Sequence, residues 1–423
     1  MSTHDVVIVG GGIFGCSVAR YLSRGSSLDV ALVEKEQHLA QHQSGRNSGT
    51  LHPGLALNLK PGTRKAKFAI EGGRLLRAYC EDNDLPIRNE GLMVVGTSEA
   101  ECERLEAVHD RASDLDIDLS WLESDDIERI EPNVTGRRAL YTRDSSTVLT
   151  ADITYSLAKE AWNADTDFYM GCRVTDVTER DGRVDVTTDK GDIRARYLVN
   201  AAGVWAPKLA KKLGYATEYD LVPFRGQYYE LTTDVRERIR TNVYPTSMPP
   251  RVPNSVGVHF TRRPDDKVIV GPTGMIALGP DTYGSTDVDI DTVLETLGSG
   301  RFWKFIGSRD TLRIAWTELN KTYRKHDFLK HCRRLMPDIE ASDLRKSYVG
   351  ISHYLVDDTG TIQQQSVFDR GPSSIHLLRP KPGLTSSLAI GEYVAGVTLE
   401  QFDAADAGDR TEPMPDPDDV ATL

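Results

Sequence analysis

A strand that runs straight into closely spaced glycines constrains this chain more than any other stretch. Asp5-Val-Val-Ile-Val9 is apolar and β-branched, Gly10-x-Gly12-x-x-Gly15 follows at once, and an alanine-and-leucine helical pattern continues to Leu22. The glycines therefore sit at a strand-to-helix turn, the context a dinucleotide fingerprint requires. Gly10 permits the tight turn, Gly12 lets a pyrophosphate approach the backbone, and Gly15 lets the helix pack on the sheet, with the helix N-terminus stabilising the anion. A second strand, Val30-Ala-Leu-Val33, ends in Glu34. About 20 residues after such a turn, a carboxylate accepts hydrogen bonds from an adenosine ribose and repels a 2′-phosphate.

At 423 residues the chain exceeds one simple core and implies two domains, with room to bury a large ligand. Its net charge of −12, from 51 basic and 63 acidic residues, excludes nucleic acid as a natural partner and disfavours an anionic membrane. A small anion would need a local basic pocket. The five cysteines stand singly with no CxxC pair, so neither a disulfide framework nor a metal site is expected. Four residues precede the first strand, which leaves no room for a signal peptide, and no apolar run reaches the length of a membrane span. A cytoplasmic location is expected, with peripheral membrane contact at most.

The polar, glycine-rich passage 41–54 follows the second strand and is placed to run along a bound cofactor. Periodicity predicts helices at 63–80, 99–115, 121–131, 153–162, 291–297, 303–305 and 310–336, and a last one over 383–395. Strands are expected at 92–96, 168–174, 183–187 and 196–200, with a strand-like return at 347–351, and alternating ones at 221–231, 256–261 and 267–271 suggest an antiparallel sheet. Ala201, Ala202 and Gly203 end a buried strand with residues small enough to bring backbone against a ligand.

Together the fingerprint with Glu34, Ser44-Gly-Arg-Asn-Ser-Gly-Thr-Leu-His52, Val199-Asn-Ala-Ala-Gly203, Val222-Pro-Phe-Arg-Gly226, Gly257-Val-His-Phe-Thr261 and Thr385-Ser-Ser-Leu-Ala-Ile-Gly391 resemble FAD-dependent oxidoreductases of the D-amino-acid-oxidase type. Within that type they are most similar to the L-2-hydroxyglutarate dehydrogenase and oxidase branch. The resemblance implies an α/β (α+β overall) fold, in which a Rossmann-like FAD-binding domain is interleaved with a substrate domain built on an antiparallel β-sheet. It divides the chain into 1–90, 145–220 and 345–403 for FAD, 91–144 and 221–344 for substrate, and a disordered acidic tail at 404–423. As cofactor-binding residues it implies Gly10, Gly12, Ile13, Phe14, Gly15, Glu34, Lys35, Ser44, Arg46, Asn47, Ser48, Val174, Ala202, Gly203, Gly383, Leu384, Thr385 and Ser386. This chain departs from the family pattern where His is commonly found (Arg46), before Lys60-Pro61, where two tyrosines are common, where Arg is common (Ser352) and where Asn is common (Leu378).

Flavin chemistry on a C–H bond asks the protein for a base and, where the substrate is an acid, for a cationic clamp. His52 and His259 stand in family-like motifs and are the candidate bases; each is equally readable as a structural histidine. Lys60, Arg225, His353 and Arg379 are the candidate substrate contacts, with Lys65 and Lys381 nearby; Arg225 could clamp a carboxylate bidentately or pair with a structural Glu. Thr385 and Ser386, at a helix N-terminus, suit the carbonyl side of an anionic flavin. The implied activity is oxidation of a small anionic 2-hydroxy acid such as L-2-hydroxyglutarate to the 2-oxo acid by hydride transfer to the flavin. Oxygen, a quinone or a protein is compatible as electron acceptor. Oxidation of an amino acid, a secondary amine or glycerol 3-phosphate fits the same scaffold. A flavin-carrying subunit of an electron-transfer complex would lack a convergent His and Arg.

Overall fold

Two sheets meet along the strand ends that the glycine turn defines. The computed structural model describes residues 2–52, 59, 61–113, 115, 117–246, 257–284, 286–307 and 309–406. Lys60 therefore lies outside the described residues, as do parts of the expected strand at 256–261 and of the tail.

In the first sheet, Ser2–Val9 lies between Val30–Glu34 and Gly191–Asn200, parallel to both. Asp167–Met170 extends it beyond Val30–Glu34, also parallel. On its far side Gly191–Asn200 pairs with Arg183–Thr188 along one half and Ser374–Arg379 along the other. Strands buried on both faces read as unbroken apolar runs, and Val30–Glu34 is buried at every position. The helices Ile13–Gly25, Arg64–Asp82, Thr150–Asn163 and Ser387–Asp406 cover one face and share its core. Close crossings are set by glycine: a Cβ on Gly391 would come 2.0 Å from Ser17 Oγ, and one on Gly72 would come 2.3 Å from the Thr385 carbonyl oxygen.

Among the described residues the second sheet has nine strands, and the long pair Asp220–Leu231 and Leu344–Val356 runs antiparallel on its cavity side. It is antiparallel as expected except at Asn242–Pro245 against Leu92–Gly96, which are parallel. Strand Leu344–Val356, expected with the cofactor segments, hydrogen-bonds in this second sheet along Asp220–Leu231. A small third sheet joins Thr50–Leu51, Ser146–Val148 and Ile87–Arg88; runs this short leave no period to read.

Four expectations shift, the first three for identifiable reasons. The expected helix 121–131 is a strand, Ser120–Glu123, followed by a helix, Ser124–Ile130, because Glu123 and Asp126 form a reciprocal capping box that starts the helix late. The stretch 168–174 breaks at Gly171 (φ 58°), and Val174–Arg180 makes a hairpin with Arg183–Thr188 through Asp181 and Gly182, both left-handed. The single helix expected over 310–336 is two, Arg309–Tyr323 and Lys325–Arg333, parted at Arg324, which is extended. Burial of Phe328, Leu329 and Cys332 against the second sheet redirects the chain where neither Gly nor Pro announces it. The last helix runs to Asp406, past the expected start of the tail at 404.

Gly72→Ala should lower stability by roughly 1–3 kcal/mol, because the new methyl displaces the turn at Thr385. A denaturant midpoint equal to wild type would show that this helix and turn can separate freely.

Candidate active site

One cavity of about 700 Å³ runs from the glycine turn to the end of the Ser374–Arg379 strand. Its first end is built from backbone. Gly10 has φ 114°, and a Cβ there would lie 2.4 Å from the Ala201 carbonyl oxygen, so only glycine closes the turn against the neighbouring strand. A Cβ on Gly15 would lie 1.9 Å from the Gly10 carbonyl oxygen; Gly15 serves packing and does not line the cavity. The helix Ile13–Gly25 lacks a side-chain cap from Gly12, and Ser44, a loop away, supplies it by accepting the Ile13 amide at 2.9 Å. Glu34 is buried and accepts from the Gly11 amide at 2.6 Å and the Glu36 amide at 2.8 Å, which leaves acceptor capacity toward the cavity.

The loop after Glu34 is braced from within. Asn47 donates to the Gln43 and Ser44 carbonyls and accepts from the Gly49 amide and the Thr150 hydroxyl. Arg46 donates to the Gln41 carbonyl and lies 4.3 Å from the centre of the Tyr283 ring, and Lys35 sits between Glu36 and Asp281. Ser48, Val174, Ala202, Gly203, Ile13, Phe14, Gly383 and Leu384 also line the cavity. Thr385 and Ser386 do not; the Thr385 hydroxyl accepts the His52 amide at 3.1 Å, and the Ser386 hydroxyl donates to the Gly383 carbonyl. Glycine-turn backbone, a helix N-terminus, a buried ribose-side carboxylate and a volume within the roughly 300–1,000 Å³ usual for ligand sites fit an adenine dinucleotide.

The other end brings together His52, His353, Arg379, Lys381, Ser352 and Tyr228. Burial, and then Lys65, push His52 down to about 4, and its Nδ1 is buried without a partner. His353 Nε2 donates to the Leu378 carbonyl at 2.7 Å, which fixes the tautomer and leaves Nδ1 with a lone pair and no partner; burial, with Arg379 and Lys381 opposing charge, pushes it down to about 3. His259 is not in the lining. Its Nδ1 lies 3.0 Å from the Gly257 carbonyl oxygen and its ring stacks 3.9 Å from Tyr244, while burial pushes it down to about 3.

Arg225 also lies off the cavity, donating to the Tyr283 carbonyl at 2.9 Å rather than to a carboxylate. Strand alternation explains this: Gly226 and Tyr228 face the cavity, so Arg225 faces away. The same alternation turns Leu378 away, to pack with Ala210, Ala216 and Leu355, while Leu377 and Arg379 line the wall. Tyr228, Tyr283 and Asp281 were not singled out from the sequence; alternation from Gly226 was the available signal for Tyr228, and none exists for the other two.

Fold and site together define a dinucleotide-dependent oxidoreductase. The model of the FAD dependent oxidoreductase family matches residues 5–397, and the chain belongs to that family. It is similar to the L-2-hydroxyglutarate dehydrogenase of Escherichia coli K12, 32% identical over 394 residues and 92% of each chain. It is also similar to the mitochondrial L-2-hydroxyglutarate dehydrogenase of Caenorhabditis elegans, 30% identical with 94% of each chain covered. Among solved structures, the dithionite-reduced L-alpha-glycerophosphate oxidase of Mycoplasma pneumoniae with FAD bound superposes with a TM-score of 0.74 at 23% identity, 95% of each chain covered. The glycine oxidase of Geobacillus kaustophilus gives 0.71 at 18%, again covering 95% of each. The protein is an FAD-dependent oxidoreductase, and FAD is its cofactor. Among the described residues no helix is long and apolar enough to cross a membrane.

Glu34→Ala should weaken FAD binding by roughly 1.5–3 kcal/mol, on the order of 10- to 100-fold, since a charge-assisted acceptor is lost. Release of FAD followed by flavin fluorescence measures this, and an unchanged dissociation constant would remove Glu34 from the ribose site.

Proposed function

We propose that the enzyme oxidises a small anionic 2-hydroxy acid, L-2-hydroxyglutarate foremost, to the corresponding 2-oxo acid. The observation that carries this reading is the convergence, in one cavity, of His52 and His353 with Arg379 and Lys381. Relatives named L-2-hydroxyglutarate dehydrogenase over more than nine-tenths of the chain support the choice of acid. When bound, FAD supplies a two-electron acceptor for the substrate C–H bond. The chain's own task is to hold the acid and to take the hydroxyl proton. His52 suits that better than His353, because the conjugate acid of His353 would face Arg379 and Lys381 directly. The hydroxyl has one proton to give and gives it to His52; His353, whose Nε2–H is taken by the Leu378 carbonyl, walls the site beside it. The glycine turn, Ser44, Glu34, Ala202, Gly203, Gly383 and Leu384 hold FAD in this reading, and the second sheet walls the substrate. We place the enzyme in the cytoplasm, to be tested by cell fractionation.

His52→Ala should slow flavin reduction at saturating substrate by roughly 10²–10⁴. His259→Ala should stay within a few-fold of wild type while losing stability, because its ring packs on Tyr244 outside the cavity. Equal losses in both variants would count against the assignment.

The substrate itself is tested by anaerobic bleaching of the yellow protein with L-2-hydroxyglutarate, lactate, malate, glycerol 3-phosphate, sarcosine and proline. L-2-hydroxyglutarate should bleach it fastest. Faster bleaching by sarcosine or proline would transfer the assignment to amine oxidation.

A further inference from the structure

The wall opposite the glycine turn carries an imbalance of charge. Arg379 is only 3% exposed, and its guanidinium carbon lies 4.3 Å from the centre of the Tyr354 ring. The Lys381 ammonium stands 5.9 Å from the centre of the same ring, and both residues line the cavity. Arg379 directs its N–H groups at the backbone carbonyls of His353 and Gln363. Among the described residues no carboxylate contributes to the electrostatic surroundings of either cation. Ser352 brings no charge to this wall and Leu378 faces away from it, so positions 379 and 381 supply its positive charge. Two like charges on one ring, one buried and one half-buried, are costly to hold without a counter-ion, and the cavity is the side from which one can arrive.

We propose that Arg379 and Lys381 form a carboxylate subsite for the substrate, in which Lys381 takes up a proton as the acid group binds. The proposal rests on the reading of the enzyme as an acid oxidase. The groups facing Lys381 are Arg379 at its own strand end, Lys65 on the helix Arg64–Asp82, and His353 and Tyr354 on the strand Leu344–Val356; His52 lies next to Lys65. Burial, then Arg379 and Lys65, push the Lys381 amine well below the ordinary lysine range. A carboxylate alongside favours the charged form and raises the amine's pKa again. Binding therefore draws a proton from solvent at any pH between the free and the bound value. Below the free value the amine is already charged and the uptake vanishes; above the bound value it stays neutral and affinity is lost.

The test titrates the FAD-loaded protein with glutarate, which has two carboxylates and no hydroxyl to oxidise, between pH 6 and 10. Perturbation of the flavin spectrum gives affinity, and a pH-indicator dye in weak buffer gives proton uptake. Wild type should bind glutarate with uptake of up to one proton. Lys381→Met should bind at least 10-fold more weakly without the uptake, and Lys381→Arg should keep affinity within a few-fold, also without uptake, because arginine is already charged. Lys381→Met binding within two-fold of wild type, or uptake that persists in either variant, would overturn the proposal. If Lys381→Met fails to hold FAD, the arginine variant decides by its uptake alone. Glycerol 3-phosphate binding 10-fold more tightly than glutarate would overturn the carboxylate assignment. Should L-2-hydroxyglutarate fail to bleach the flavin while glutarate still binds with Lys381-dependent uptake, the subsite stands and only the substrate's name changes.

Discussion

At the turn after the first strand, three stretches of backbone lie closer together than any side chain would permit. The first strand ends at Gly10, the neighbouring strand delivers Ala201 against it, and the helix that follows presses Gly15 onto the Gly10 carbonyl. Each contact excludes a Cβ, so the position of the helix N-terminus relative to both strands is set by main chain alone. Everything else in the site is measured from that fixed point: Ser44 reaches its first free amide, Glu34 reaches Gly11, and the cavity opens where the strands stop.

The loop between Glu34 and His52 carries that fixed geometry to the rest of the molecule. Its Ser44 caps the first helix, its Asn47 carbonyl accepts from the Tyr348 hydroxyl on the second sheet, and Thr50 shares a hydrogen bond with Tyr244 there. At its end the His52 amide donates to Thr385, at the turn that opens the last helix. A Cβ on Gly350 would strike the Arg46 carbonyl oxygen at 2.5 Å, so the second sheet also meets this loop backbone to backbone. Side chains that looked from the sequence like donors to the cofactor, Asn47 and Thr385 foremost, are occupied in holding the two sheets and the last helix to one loop.

The cofactor end of the site was legible because its signals are local. Gly10, Gly12, Gly15 and Glu34 fall within one strand–helix–strand unit, and each residue type is demanded by its own backbone position. The substrate end was legible only in part. Arg225 was weighed as a substrate contact and Leu378 as a departure where the family commonly has Asn, although strand alternation, decided by which face of each sheet is buried, turns both away. His52 and His259 both sit in family-like motifs, yet only pairing across the second sheet, which sets His259 against Tyr244, separates a cavity histidine from a packed one. The break at Arg324 and the late start at Ser124 were hidden for a related reason: packing on a distant sheet and a capping exchange moved ends that helical period alone cannot locate.

Electrostatics joins the proposed subsite to the proposed base. Burial first, and then Lys65 toward His52 and Arg379 with Lys381 toward His353, oppose protonation, so in the free protein both rings are held neutral with a lone pair available. That neutrality has a cost, since a base whose conjugate acid is disfavoured is a weak one. In the proposed subsite the arriving carboxylate offsets the positive field. It stabilises the charged form of Lys381, and the proton taken up there balances the carboxylate, so the net field at His52 changes little and burial still sets the strength of that base. A neutral alcohol of the same shape would fill the cavity without drawing that proton and would meet the same histidine, so the subsite selects by binding and leaves the strength of the base to burial.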